Sequence, residues 1–115
     1  MKRNKRKKIR QQLESESIHE NTVDALVERL MSTGRYDKIT KHVTYSNELG
    51  CGELDVQGVV DTEVDRYFHY YEVKSRDTST ARKTARKQFK RYQLAHPLKR
   101  VKGIYVTPTC VKRLR

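Results

Sequence analysis

Residues 52–74 read Gly-Glu-Leu-Asp-Val-Gln-Gly-Val-Val-Asp-Thr-Glu-Val-Asp-Arg-Tyr-Phe-His-Tyr-Tyr-Glu-Val-Lys, and the alternation within them decides the fold. Two β-rich runs, 53–60 and 66–75, flank the polar stretch Asp61 to Asp65, which reads as a hairpin loop. Pairing the runs about a loop centred between Glu63 and Val64 sets Asp55 opposite Glu72, Leu54 opposite Val73 and Glu53 opposite Lys74. Side chains alternate between the faces of a strand. One face then collects Glu53, Asp55, Glu72 and Lys74, and the other collects Leu54, Val56, Tyr71 and Val73 as a core face. A slip of one residue would bury the carboxylates, so the pattern selects this register.

The flanking sequence supplies the other layers. Residues 17–33 read as a helix, with Ser17 and Glu20 in a capping-box spacing, a broad apolar stripe and Gly34 at its end. Residues 38–46 alternate as a strand, and Asn47 to Gly52 form a turn. Residues 80–95 form an amphipathic helix stopped by Pro97. One of its faces carries Ala81, Ala85, Gln88, Phe89, Tyr92 and Ala95; the other carries Arg82, Lys83, Arg86, Lys87, Lys90 and Arg91. Gly103 to Thr107 read as a last strand. The expected order is αβββαβ: an α/β or α+β domain, with a sheet of about four strands and a helix on each flank. Residues 13–115 are expected to be a single domain behind a disordered basic arm, residues 1–12.

Composition narrows the function. The chain has 115 residues, 35% of them hydrophobic and 35% charged, and a formal charge of +12. No stretch approaches the roughly 18 apolar residues of a membrane span. The basic N-terminal run has no apolar segment behind it, so no secretory signal is expected. Two cysteines, Cys51 and Cys110, are too few for a disulfide framework or a four-cysteine zinc or iron–sulfur site, and an intracellular protein with free thiols is expected. The charge is blocked. Residues 1–12 hold seven Lys/Arg and no acid, residues 13–75 hold 13 acids and six bases, and residues 76–102 hold ten bases and one acid. Basic flanks around an acidic middle suit a polyanion bound beside something that holds cations. The basic arm serves either as a phosphate contact or as a solvating or targeting tail.

Carboxylates directly opposite one another repel, and a divalent cation between them relieves the repulsion. Oxygen ligands on strands suit Mg²⁺ or Mn²⁺. A lysine on the same face can orient a water and offset charge developing on a phosphate. The plainer reading is a solvent face with ion pairs such as Glu53–Lys74. Gln88 stands near the middle of its helix's apolar face, where a purely structural helix would carry Leu. His42, His69 and His96 read as surface or packing residues.

Gly52-Glu53-Leu54-Asp55 followed by Glu72-Val73-Lys74 resembles the signature of the PD-(D/E)xK nuclease superfamily. Gln88-Phe89-Lys90-Arg91-Tyr92 resembles the QxxxY motif of its RecB-type and lambda-exonuclease-like branch. His19 in the first helix is similar to the first motif of RecB-type nucleases, and Glu20 to that of archaeal Holliday-junction resolvases. The resemblance spans roughly residues 17–107. It implies a restriction-endonuclease-like core and hydrolysis of DNA phosphodiester bonds with Mg²⁺ or Mn²⁺. It implies that Asp55, Glu72 and the Val73 carbonyl bind the metal, with His19 or Glu20 completing the shell. Lys74 would position the attacking water, Gln88 would orient Lys74 or a phosphate, and Tyr92 would support the site or touch nucleic acid. Leu54-Asp55 departs from the family's Pro-Asp, and the absence of a cysteine cluster excludes its iron–sulfur relatives. Arg82, Lys83, Arg86, Lys87, Lys90 and Arg91 are expected to contact the DNA backbone. The alternatives are a dimeric Holliday-junction resolvase and a non-catalytic nucleic-acid-binding protein of the same fold.

Overall fold

The computed structural model describes the backbone of residues 2–115 and the side chains from residue 6 onward. The elements are α1 (Lys2–Thr33), β1 (Lys38–Asn47), β2 (Gly50–Asp61), β3 (Arg66–Val73), α2 (Ser79–Ala95), β4 (Arg100–Val106) and β5 (Val111–Leu114). The chain is mixed α+β, with five strands in the spatial order β1-β2-β3-β4-β5. Neighbouring strands are antiparallel except β3 and β4, which α2 joins as a parallel crossover.

The β2–β3 ladder runs from Asp61↔Arg66 to Val56↔Tyr71 in the expected register, but it stops there, short of the expected pairs Asp55–Glu72, Leu54–Val73 and Glu53–Lys74. Consecutive β3 residues pack on different helices. Tyr70 lies with Ala85, Phe89 and Tyr92 of α2, whereas Tyr71 and Val73 lie with Val23 and Leu26 of α1. Because successive strand residues point to opposite faces, the two helices cover opposite faces of the sheet. At Gly103 the ring of Phe89 sits so near the backbone that an added Cβ would come within 2.8 Å of it.

Four details differ from the sequence reading. First, Leu54 and Val56 do not share a face: Leu54 joins the α2 cluster and Val56 the α1 cluster. The cause is a break at one place in two strands. His42 has a φ of 54°, and the β1–β2 ladder skips it between Lys41↔Val56 and Val43↔Leu54. Strict alternation fails there, and Asp55 stands at the turnover between the faces. Second, α1 does not begin at Ser17. It extends back through the residues expected as a disordered arm, because no Gly or Pro interrupts a run of Lys, Arg and Gln, all good helix formers. It ends as expected, with Gly34 at φ 65° donating to the Met31 carbonyl at 3.3 Å. Third, β3 ends at Val73, and the Lys74 N–H donates to the Val106 carbonyl on β4 at 2.9 Å. Fourth, β5 is a strand absent from the expected order. A turn brings it onto β4, with the Thr107 N–H donating to the Cys110 carbonyl and Thr107 Oγ1 accepting from the Cys110 N–H.

Candidate active site

One cleft of about 680 Å³ opens where α1, the β1–β2 break, the end of β3 and α2 meet. His19, Glu20, Asp55, Glu72, Val73, Lys74 and Gln88 line it, together with Ser15, Glu16, His42, Glu53 and Ser75. Residues from five elements and a loop thus converge at one place, among them seven of the expected site residues.

Glu72 is the buried member, 3% exposed in the floor of the cleft. Its carboxyl is pushed up to about 8, chiefly by burial and next by the neighbouring Asp55 carboxylate. The Tyr70 hydroxyl donates to Glu72 Oε2, and Lys74 Nζ lies 3.9 Å from Oε1; both oppose that rise. Asp55 is held from two sides. Its Oδ2 accepts from the Val73 N–H at 2.8 Å, and its Oδ1 lies 3.2 Å from His19 Nε2. The break in β2 makes this possible, since a residue between two faces reaches both the end of β3 and α1.

Lys74 Nζ donates to Gln88 Oε1 at 2.9 Å. Gln88 therefore has a polar partner at its place on the packed face of α2. Thr78 caps that helix, its side chain accepting from the Ala81 N–H at 3.0 Å.

Three expected roles stand apart from this group. Tyr92 is 1% exposed and packs with Tyr70, Tyr45 and His96. Its hydroxyl accepts from Gln57 Nε2 at 3.2 Å and from Lys99 Nζ at 3.4 Å, and it does not line the cleft. Arg82 is paired with Asp77 at 3.1 Å, so it is not a free member of the cationic face; Lys83, Arg86, Lys87, Lys90 and Arg91 are exposed. Glu53 does not meet Lys74. Its Oε1 lies 3.7 Å from His42 Nδ1, while His42 Nε2 lies 3.3 Å from Glu20 Oε1.

His42 and Tyr70 are site residues that the sequence reading left out. Nothing in the sequence marks a histidine in an alternating strand as a left-handed residue. Such a conformation is uncommon outside glycine, and strained backbone concentrates at functional sites. Tyr70 is hidden in a run of tyrosines, and only the sheet faces distinguish it from Tyr71.

The site has two buried or half-buried carboxylates, a lysine and a histidine, in a polar cleft. Among the described residues, no group of three or more His, Cys, Asp or Glu side chains is gathered as a ready metal cage. A second groove of about 550 Å³, between α1 and the β4–β5 turn, contains none of the expected catalytic residues. Among the described residues, no helix is long and apolar enough to cross a membrane. No protein-family model matches the chain, and neither a curated protein nor a solved structure matches it significantly.

Proposed function

We propose that this protein is a small metal-dependent nuclease that hydrolyses phosphodiester bonds in DNA. The observation that carries the reading is the buried Glu72 carboxyl beside Asp55, with Lys74 held at the same cleft by Gln88.

The donors fit a hard divalent cation. A carboxyl this buried and this near another carboxylate holds a proton that a cation would replace. Asp55, Glu72 and the Val73 carbonyl would hold Mg²⁺ or Mn²⁺, with His19 the nearer of the two α1 candidates, since it already contacts Asp55. Such an ion supplies a water of lowered pKa and neutralises charge on the phosphate. Lys74 contributes a compact ammonium aimed by Gln88 Oε1. It orients a water or offsets negative charge developing on the phosphate oxygens. Tyr70 fixes the Glu72 carboxylate through its hydroxyl, and His42 holds Glu20 and Glu53 at the rim. The exposed cations of α2 provide sequence-independent backbone contacts. The resemblance to PD-(D/E)xK nucleases supports the same assignment of Asp55, Glu72, Lys74 and Gln88, and an intracellular location goes with it.

The test is cleavage of linear duplex, single-stranded and four-way-junction DNA with Mg²⁺ or Mn²⁺, beside Asp55→Ala. Metal-dependent cleavage lost in Asp55→Ala is the expected result. Preference for the junction would favour a resolvase. Tight binding with no cleavage of any substrate would leave a binding protein and overturn the enzyme.

A further inference from the structure

Helix α1 is 32 residues long, about 48 Å at 1.5 Å per residue, in a molecule whose principal extents are 59 × 35 × 22 Å. Its C-terminal half packs on the sheet through Val23 and Leu26. Its middle, from Ser15 to Glu20, forms one wall of the cleft. The turns before that leave the body. Every residue from Arg6 to Glu14 is exposed, and Ser15 is the residue where α1 meets the rest of the chain, through a 2.7 Å hydrogen bond to Ser75. A rod of helix therefore continues directly out of the cleft mouth.

That rod is built of good helix formers, with Arg10 and Glu14 at a favourable i, i+4 spacing, but its other charges are poorly matched. Its first turn carries no acid to match the helix dipole. Arg6 and Arg10 repel at i, i+4 spacing. Its cations also spread over about 200° of the axis, Arg6, Arg10 and Lys7 within about 100° and Lys8 beyond them. Taking Arg6 as 0°, Arg10, Lys7 and Lys8 fall at roughly 40°, 100° and 200° about the axis. A flat anionic surface contacts one side of a helix and calls for an apolar stripe opposite, and here only Ile9 and Leu13 interrupt the polar residues between 6 and 14. A groove with a phosphate wall on either hand contacts several sides at once.

We infer that the N-terminal turns of α1 lie in the major groove of duplex DNA and hold it at the cleft mouth. That groove is about 12 Å wide and admits an α-helix, whereas the A-form RNA groove is too narrow. The inference deepens the nuclease reading by naming the substrate as duplex DNA; binding stands without that reading, and only the cleavage step rests on it. Placement on α1 sets the distance from groove to cleft: residues 6–14 lie within about 14 Å of helix before Ser15. The phosphates entering the cleft are then those flanking the occupied groove.

The test is binding in EDTA, where no cleavage occurs, by fluorescence anisotropy across a salt series. The probes are a 24-base-pair duplex, one of its single strands, and phosphatidylserine vesicles. The full chain is compared with a variant carrying Arg6→Gln, Lys7→Gln, Lys8→Gln and Arg10→Gln, whose glutamines keep helix propensity. An unchanged melting temperature confirms that the variant folds. On the duplex, the slope of log K against log salt should flatten by up to about 3.6 units, four contacts at about 0.9 each. On the single strand it should change by less than one. An unchanged duplex slope overturns the inference, as does equal loss on both nucleic acids or wild-type binding to vesicles in preference to duplex. Cleavage in Mg²⁺ is read separately, so a chain that binds duplex through these residues and never cuts it refutes the nuclease and leaves the groove contact standing.

Discussion

Glu72 is the buried carboxyl on which the proposed function rests. Burial, and next the Asp55 carboxylate, push its carboxyl up to about 8 in the folded chain from the ordinary value of 4.5. Between those values the folded protein keeps a proton that the unfolded chain has released. Stability is therefore full below about pH 4.5 and falls as pH rises towards and through 8, by an amount on the order of a few kcal/mol. In EDTA the melting temperature should drop from pH 5 to pH 8.5, and Glu72→Gln should flatten that drop; a wild-type curve flat in pH would contradict the burial argument. Lys74 works differently. Its Nζ is one cation among 26 Lys and Arg, so Lys74→Ala should keep DNA affinity within a few-fold while losing most cleavage. Lys74→Arg should rescue little, because a planar guanidinium does not replace a compact ammonium held by Gln88. Near-normal turnover by Lys74→Ala, read in the same assay, would remove it from the mechanism.

The elements divide the labour between packing and charge. Helix α2 buries Ala85, Phe89, Tyr92 and Ala95 and turns Arg86, Lys87 and Lys90 to solvent. Phe89→Ala should cost about 3–5 kcal/mol in denaturant unfolding, because the ring fills the space over Gly103. Gly103→Ala should cost about 1–3 kcal/mol from the opposite side, since the added methyl meets that ring. The two changes should be less than additive when combined, as the smaller residue makes room for the methyl. On the outer face, replacing Arg86, Lys87 and Lys90 with Ala should leave stability nearly unchanged. The salt slope of duplex binding should flatten by up to about two to three units. An unaltered slope would assign the phosphate track to α1 alone.

Across the whole molecule, the proposed function would link folding to ion binding at the cleft. A cation that binds only the folded chain raises stability by about 1.4 kcal/mol at ten times its dissociation constant. Because Glu72 must lose its proton first, the rise in melting temperature on adding Mg²⁺ should be larger at pH 8.5 than at pH 6 and should vanish in Asp55→Asn. A shift equal in wild type and variant would place the ion elsewhere. Much of this arrangement is legible in the chain. The period-2 runs about Asp61–Asp65 determine the hairpin and its register, although the register does not keep the carboxylates in solvent: Glu72 is buried in it. The 3.6 period of residues 80–95 determines which side of α2 packs. The resemblance to PD-(D/E)xK nucleases is what picks out Asp55, Glu72, Lys74 and Gln88 among the residues that line the cleft. What tertiary structure alone decides is what depends on contacts distant in sequence. The turnover at His42 and Asp55 puts Leu54 and Val56 on different helices, because two paired strands break at the same level. Tyr92 is committed to the core by the tyrosines around it. Strand β5 exists because β4 offers it an edge. Local pattern fixes which way a side chain faces only while the ladder is unbroken; where it breaks, and which neighbour a side chain meets, are properties of the packed whole.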